Sequence, residues 1–370
     1  MVRAPMCVLT VLFAAASLCP SSAYPIDVFV AGQGVAQFRI PALTRTANGT
    51  LIAFAEARTE PATDCGYKWI VARRSTDNGA TWGPLINVVG ADWTGWATGN
   101  SQPFFHAASG RVVVVVGSKD LSAPGRSCEP GTAVFAVDDG GSDGMKWGPP
   151  RNLSASLSGA KGGATLVPGP GTGLVLSRGP HAGRLLAVGV AGGGYANEAI
   201  FWSDDGGLEW TVSASEVGPG MDEANMAELA DGTVYLSMRN AHATSCDCVA
   251  YALSTDGGQT FGPIQYDPVL ISPECEAAVA GYDGALYFSN TADKRQRANL
   301  TVRRTAAGGA PTAWISSHLV APGLTWGGYS SMAPSPLSGG SLGGILFERN
   351  ITDGTPEGCV ISFSTFPLEF

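Results

Sequence analysis

The sequence predicts an all-β fold, a propeller assembled from small sheets, and three observations predict it. Glycine (50) and proline (24) are spread through an apolar chain of 370 residues, which suits many short strands joined by tight turns. An octet recurs: STDNGATW from Ser75, SDDGGLEW from Ser203 and STDGGQTF from Ser254, with a degenerate copy from Asp138 to Trp147. Its spacing of roughly 50 to 65 residues is the size of a four-stranded blade. Finally, short runs rich in β-branched residues lie between the turn signals. They are Val112–Val116, Val134–Val137, Leu185–Val190, Ala199–Trp202, Val234–Met238, Val249–Leu253, Ala285–Ser289, Leu300–Arg303, Ile345–Phe347 and Val360–Phe363.

The octet is a turn. Its aspartate accepts bonds from the amides that follow, its glycine takes a positive φ, and its closing aromatic packs beneath the hairpin. Asp77, Asp205 and Asp256 are therefore expected to be structural. A Ca²⁺ loop would need more oxygen ligands than the octet offers, so no metal is expected.

Residues 1–23 read as a secretory signal peptide: Arg3 at the start, an apolar run from Cys7 to Leu18, and small Ser21 and Ala23 before the cut. The run is shorter than the roughly 20 residues needed to span a bilayer. No transmembrane segment is expected elsewhere, and residues 24–370 read as one domain. Six cysteines remain, Cys65, Cys128, Cys246, Cys248, Cys275 and Cys359. An even count in an exported chain suggests disulfides. No histidine sits at ligand spacing from Cys246 and Cys248, so a disulfide is favoured over a metal there. Asn48, Asn152, Asn299 and Asn350 stand in glycosylation sequons. The formal charge of −9 argues against nucleic acid as a partner. It would also repel an anionic ligand, so any acid must be bound by a local arginine cluster.

Phe38-Arg39-Ile40-Pro41 near the mature start, followed by several octets, resembles the sialidases of the propeller type. Leu51–Arg58 (LIAFAEAR), Asp64 and the run into the first octet look like the lysosomal branch. So do Asp222-Glu223, Ser237-Met238-Arg239-Asn240, Arg297-Ala-Asn-Leu-Thr, Gly328-Tyr329-Ser330-Ser331 and Phe347-Glu348. The resemblance spans nearly the whole mature chain in order. It implies a six-bladed β-propeller, a retaining exo-α-sialidase, sialylated glycoconjugates as substrates and no cofactor. It also implies extracellular or lysosomal residence.

The chemistry agrees with the residue types. Sialic acid carries a carboxylate on its anomeric carbon, and a planar guanidinium matches a carboxylate in two bonds. By motif the three arginines are Arg39, Arg239 and Arg297, with Glu348 compensating the first. One such arginine alone would read as a surface ion pair; three in matching motifs do not. A carboxylate nucleophile would be repelled by that substrate, and a tyrosine is the alternative used by sialidases. A phenol titrates near about 10 and needs a base beside it. Tyr329 matches the family tyrosine and Glu223 its base, with Glu228 a weaker rival. Asp64 matches the acid/base aspartate. Glu60 and Asp77 are its rivals, and a Cys65–Cys128 disulfide is one way to fix its loop. Arg58, Asn100 and Gln102 are expected to line the rest of the pocket, where His106 replaces the usual acid.

Two rival readings stay open. A trans-sialidase needs an aromatic acceptor platform, for which Trp93, Trp96, Trp314 and Trp326 are candidates. A non-catalytic sialic-acid-binding propeller would need the arginines but not Asp64, Glu223 and Tyr329 together.

Overall fold

The computed structural model describes residues 24–370 apart from 33, 62, 123–132, 159–165, 192–196, 242–244, 326, 334–335, 338–339 and 352–358. The signal-peptide expectation, Cys128 and Trp326 lie outside the described residues. Each predicted strand run falls inside an observed strand.

Meandering antiparallel strands make five sheets. Three of them follow the chain: Leu166–Val175 to Thr211–Val217, Met221–Glu228 to Gln265–Ile271, and Ala278–Tyr282 to Trp314–Leu324. A fourth joins Ser330–Ala333, Leu342–Asn350 and Cys359–Pro367 to the N-terminal strand Ile26–Phe29. Ile26 pairs with Phe363, so the two ends of the described chain close one sheet. Gln37–Val89 and Trp96–Asn152 share the fifth sheet, of eight strands. Its halves are joined by a single parallel bridge between Lys68 and Ala97. The expectation of six separate blades is thus corrected. Four small sheets stand alone in a propeller-like arrangement, and that bridge fuses the remaining strands into one.

The core lies between consecutive sheets. Strand residues alternate faces, so each sheet offers an apolar surface to both neighbours. Phe54 and Ile52 meet Val112 and Val114; Phe104 and Val113 meet Leu185 and Phe201; Leu186 meets Leu236. Val249 then meets Phe288, Tyr287 meets Phe347, and Leu346 and Phe363 meet Leu43.

The octets hold this ring at one end. Asp77 accepts from Thr81 N at 2.9 Å and from Ser75 Oγ at 2.7 Å, and Asp205 and Asp256 repeat the pattern. In the degenerate copy it is Asp139 that accepts from Gly141 and Gly144. The closing aromatics reach farther than their own hairpin. Trp82 stands edge-on to Phe363 at 5.5 Å, Trp147 to Phe54 at 5.7 Å, and Trp210 packs on Phe104 at 5.9 Å. Each reaches the preceding set of strands. Gly79 is needed on two counts: its φ is +87°, and a Cβ there would meet the Phe363 ring at 2.1 Å.

Cys246 and Cys248 are disulfide-bonded. Cys65 is also bonded, to a partner outside the described residues. Cys275 and Cys359 are free and buried, so the disulfides do not extend to every one of the six cysteines. Both lie beside the charged groups of the site, Cys275 next to Arg297 and Glu276 and Cys359 next to Glu348 and Arg39. No helix among the described residues is long and apolar enough to cross a membrane.

Candidate active site

The site forms at the end of the ring opposite the octets, where Arg39, Arg58 and Lys68 share one rim through the pairs Arg39–Glu56 and Arg58–Lys68. Bulges aim its residues. Ladder register shifts between Arg39 and Ala42, Gly99 and Gln102, Asp222 and Ala224, and Ala298 and Leu300. Each interval holds a non-glycine residue with positive φ: Ile40 (59°), Asn100 (53°), Glu223 (34°) and Asn299 (57°). A bulge adds one residue to a strand and redirects the side chains beside it. Four strands therefore break their alternation where chemistry-bearing residues stand.

These breaks bring three arginines around one phenol. The Arg39 guanidinium lies 5.3 Å from the centroid of the Tyr329 ring and that of Arg297 lies 5.5 Å away. Arg239 Nη1 is 3.5 Å from the Tyr329 oxygen. Each cation has its own counterweight. Arg39 Nε donates to Glu348 Oε1 at 2.6 Å. Arg239 Nη1 donates to Glu223 Oε2 at 2.7 Å and lies 3.5 Å from Asp222. Arg297 donates to the Gly327 carbonyl at 2.7 Å. Glu348 is fully buried and also accepts from Ile40 N and Tyr329 N. It thereby ties the strand Gln37–Arg45 to the segment that carries Tyr329. Gly327 must lack a side chain, because a Cβ would fall 1.6 Å from Glu348 Oε2.

Tyr329 donates its phenolic proton to Glu223 Oε1. Burial and then the Glu223 carboxylate push the phenol well above its ordinary value, against the pull of Arg239 and Arg297. The resting tyrosine is thus a protonated phenol, and its proton path to Glu223 is already made. Glu228 sits at the other end of the same strand, opposite Val234, accepting from Ser177 N and Arg178 N. It holds a loop and faces away from Tyr329.

Asp64 stands on the turn after Leu51–Arg58, with a side chain 66% exposed. It does not join the Tyr329–Glu223 pair. Arg58 Nη1 holds it at 2.8 Å, and buried Arg58 is held in turn by Glu56 at 2.6 Å. Burial would raise the Glu56 carboxyl, but Lys68 and Arg58 hold it down at about 2. Glu56 also accepts from Asn100 N at 2.9 Å. Asn100 is half-buried beside this cluster. Gln102, expected to contact a ligand, is corrected to a support: it is 1% exposed, and its Oε1 accepts from Val188 N on the next sheet. Its even step from Asn100 crosses a bulge, so strand alternation no longer carries it to the pocket. His106 pairs with Arg111 at the far end of its strand and bonds Ser109, away from the site. Asn48 and Asn152 are exposed; Asn299 and Asn350 are half-buried.

Several groups escaped sequence reasoning. Glu56 and Lys68 could have been read from strand pairing, since Glu56 shares the inward face of Arg58 two residues on. Glu276 carried no motif. It is buried behind Tyr329, bonded by Asn225 and Ser330 N, and burial followed by Glu223 raises it well above the carboxylate range. Glu198 is fully buried, and neither carboxylate oxygen has a hydrogen-bond partner among the described residues. Burial, then Asp222 and Glu223, raise it likewise.

Residues 132–332 match the model of the BNR repeat-like domain, and the chain belongs to that family. It is 32% identical over 348 residues to the sialidase of Micromonospora viridifaciens, covering 87% of this chain and 51% of that protein. The chain thus spans about half the length of that relative. Rat sialidase-2 is 27% identical, over 77% of this chain and 82% of its own. A Hadza microbial sialidase superposes with a TM-score of 0.75 at 22% identity, covering 91% of this chain and 66% of the other; that likeness shows the fold.

Proposed function

We propose that this chain is a retaining exo-α-sialidase acting on terminal α-linked sialic acid of glycoproteins, glycolipids and oligosaccharides. The convergence of Arg39, Arg239 and Arg297 on the Tyr329–Glu223 pair carries the reading. Three guanidiniums beside one phenol make a site for a carboxylate fixed next to the carbon under attack. In the first step the Tyr329 oxygen bonds the anomeric carbon while Glu223 takes the phenolic proton. The glycosidic bond breaks, and Asp64 gives its proton to the departing oxygen. In the second step water, losing a proton to Asp64, attacks the same carbon. The Tyr329 oxygen leaves and recovers its proton from Glu223. Two inversions give net retention.

The signal sequence favours the secretory route, ending outside the cell or in the lysosome, and the early motifs favour the lysosomal branch. The test is turnover of a fluorogenic sialoside from pH 4 to 7 by the intact chain and by Tyr329→Phe. Turnover by the first and its loss in the second supports the reading. No turnover by the intact chain overturns it and leaves a sialic-acid-binding propeller.

A further inference from the structure

The Tyr329–Glu223 pair joins two segments that no strand ladder joins. Glu223 lies on Met221–Glu228 and Tyr329 just before Ser330–Ala333, in different sheets. Backbone pairing therefore does not set the spacing between phenol and base. One buried side chain bridges the two. Glu276 stands just before Ala278–Tyr282, the first strand of a third sheet packed against both. Its Oε2 accepts from Ser330 N at 3.1 Å, one residue past the phenol. Its Oε1 accepts from Asn225 Nδ2 at 3.1 Å, two residues past the base. The preceding Cys275 packs with Tyr329 and Ile40. Asn225 is clamped from its other side, where Nδ2 also donates to the Pro170 carbonyl at 3.1 Å. A Cβ on Gly171 (φ +98°) would fall 2.5 Å from Asn225 Oδ1, so only glycine lets that loop come so close. Thr172 of the same loop donates to the Leu43 carbonyl at 2.8 Å and meets Ser331 Oγ at 2.8 Å. The network links strands of different sheets, and Asn225, Glu276, Ser330 and Ser331 are all buried in it.

We infer that Glu276 is a positioning residue for the Tyr329–Glu223 pair, fixing the segment of the phenol against the strand of its base. The inference rests on the sialidase reading. The two oxygens of one planar carboxyl set one spacing, because each is bonded within two residues of a reacting group. The three arginines are held separately, by Glu348, Glu223 and the Gly327 carbonyl. Loss of Glu276 therefore disturbs the reacting pair and spares the cluster that would bind a carboxylate. The group also suits its surroundings. Burial, against the bond from Ser330 N, raises its carboxyl well above the carboxylate range. It keeps its proton at acid pH and adds no anion beside Glu223 and Glu348. A misplacement of about 1 Å between reacting groups costs on the order of 10²-fold in rate.

The test is Glu276→Ala in the full chain, with turnover of a fluorogenic sialoside measured beside calorimetric binding of an unsaturated sialic acid analogue. The binding stoichiometry counts folded sites, so kcat is read per competent site. That kcat should fall about 10²-fold, with KM and analogue affinity within about threefold of the parent chain. Glu276→Gln keeps the shape and an acceptor for Ser330 N, and should return kcat to within about tenfold of the parent. If Glu276→Ala does not fold and binds no analogue, Asn225→Ala removes one arm alone and should lower kcat about tenfold. A kcat within about threefold of the parent in the folded alanine variants overturns the positioning role. So does a loss carried by KM, or a glutamine variant as slow as the alanine one. Each of these leaves the sialidase reading standing. A parent chain that cleaves no sialoside overturns both.

Discussion

The Tyr329 phenol and the Glu223 carboxylate share a hydrogen bond across 106 positions of chain. Glu223 reaches the phenol from a strand bulge at φ +34°, while Tyr329 stands just before the strand Ser330–Ala333 of another sheet. The pair needs no rearrangement before proton transfer, so both partners should matter to the chemical step. Tyr329→Phe is expected to reduce kcat by roughly 10³-fold or more, and Glu223→Gln by about 10²-fold or more. Steady-state kinetics with a fluorogenic sialoside measures both; a loss confined to KM would contradict a nucleophile and base acting in the chemical step.

Glu348 is fully buried against Arg39. Replacing it with glutamine leaves a buried cation without its counter-charge. Removing one member of a buried pair costs about 3–5 kcal/mol. Glu348→Gln should therefore lower the urea midpoint and also raise KM, because Arg39 loses its fixed direction. Unchanged stability with unchanged KM would show that Glu348 is dispensable.

Glu198 predicts a pH dependence. In the unfolded chain it titrates near 4.5, and in the folded chain it titrates well above that value. Between those two values the folded state keeps a proton that the unfolded state has released. Stability contributed by this group is therefore full below about 4.5 and falls as pH rises through the folded value, by at most about 1.4 kcal/mol per pH unit. Glu198→Gln removes the titration. Thermal melts from pH 5 to 8 should show a shallower decline in the variant than in the parent chain.

The octets predict a change of stability without a change of chemistry. Asp256 accepts from Gln259 N and Thr260 N, both at 2.9 Å. Asp256→Ala should cost about 1–2 kcal/mol, a few degrees in Tm, with KM unaltered. A change in KM would place that turn in contact with the site.

Much of this molecule was legible as a linear pattern. Alternating apolar runs and octets are local, and a strand or a turn forms from neighbours in the chain, so both appeared where the residues placed them. Arg39, Arg239, Arg297 and Tyr329 could be named individually because each stands in a short motif that resembles the family's. Other features were not local. Gln102 and Asn100 differ by two positions, yet across the bulge between Gly99 and Gln102 one stays half-buried beside Glu56 and the other bonds into the next sheet. The single bridge between Lys68 and Ala97 fused strands that periodicity alone would keep apart. Cys275 and Cys359 count as an even pair in the sequence, but the fold leaves both thiols free.

The sequence by itself determined the strands, the turns and the identity of the charged groups, because these depend on side-chain type and on contacts a few residues away. Tertiary structure decided the charge contacts that no motif announced. Glu56 joins Lys68 and Arg58 through strand pairing, and the Glu198 carboxylate meets no partner among the described residues. Burial and the distance between charges set those energies, and both exist only once the sheets have packed into a ring.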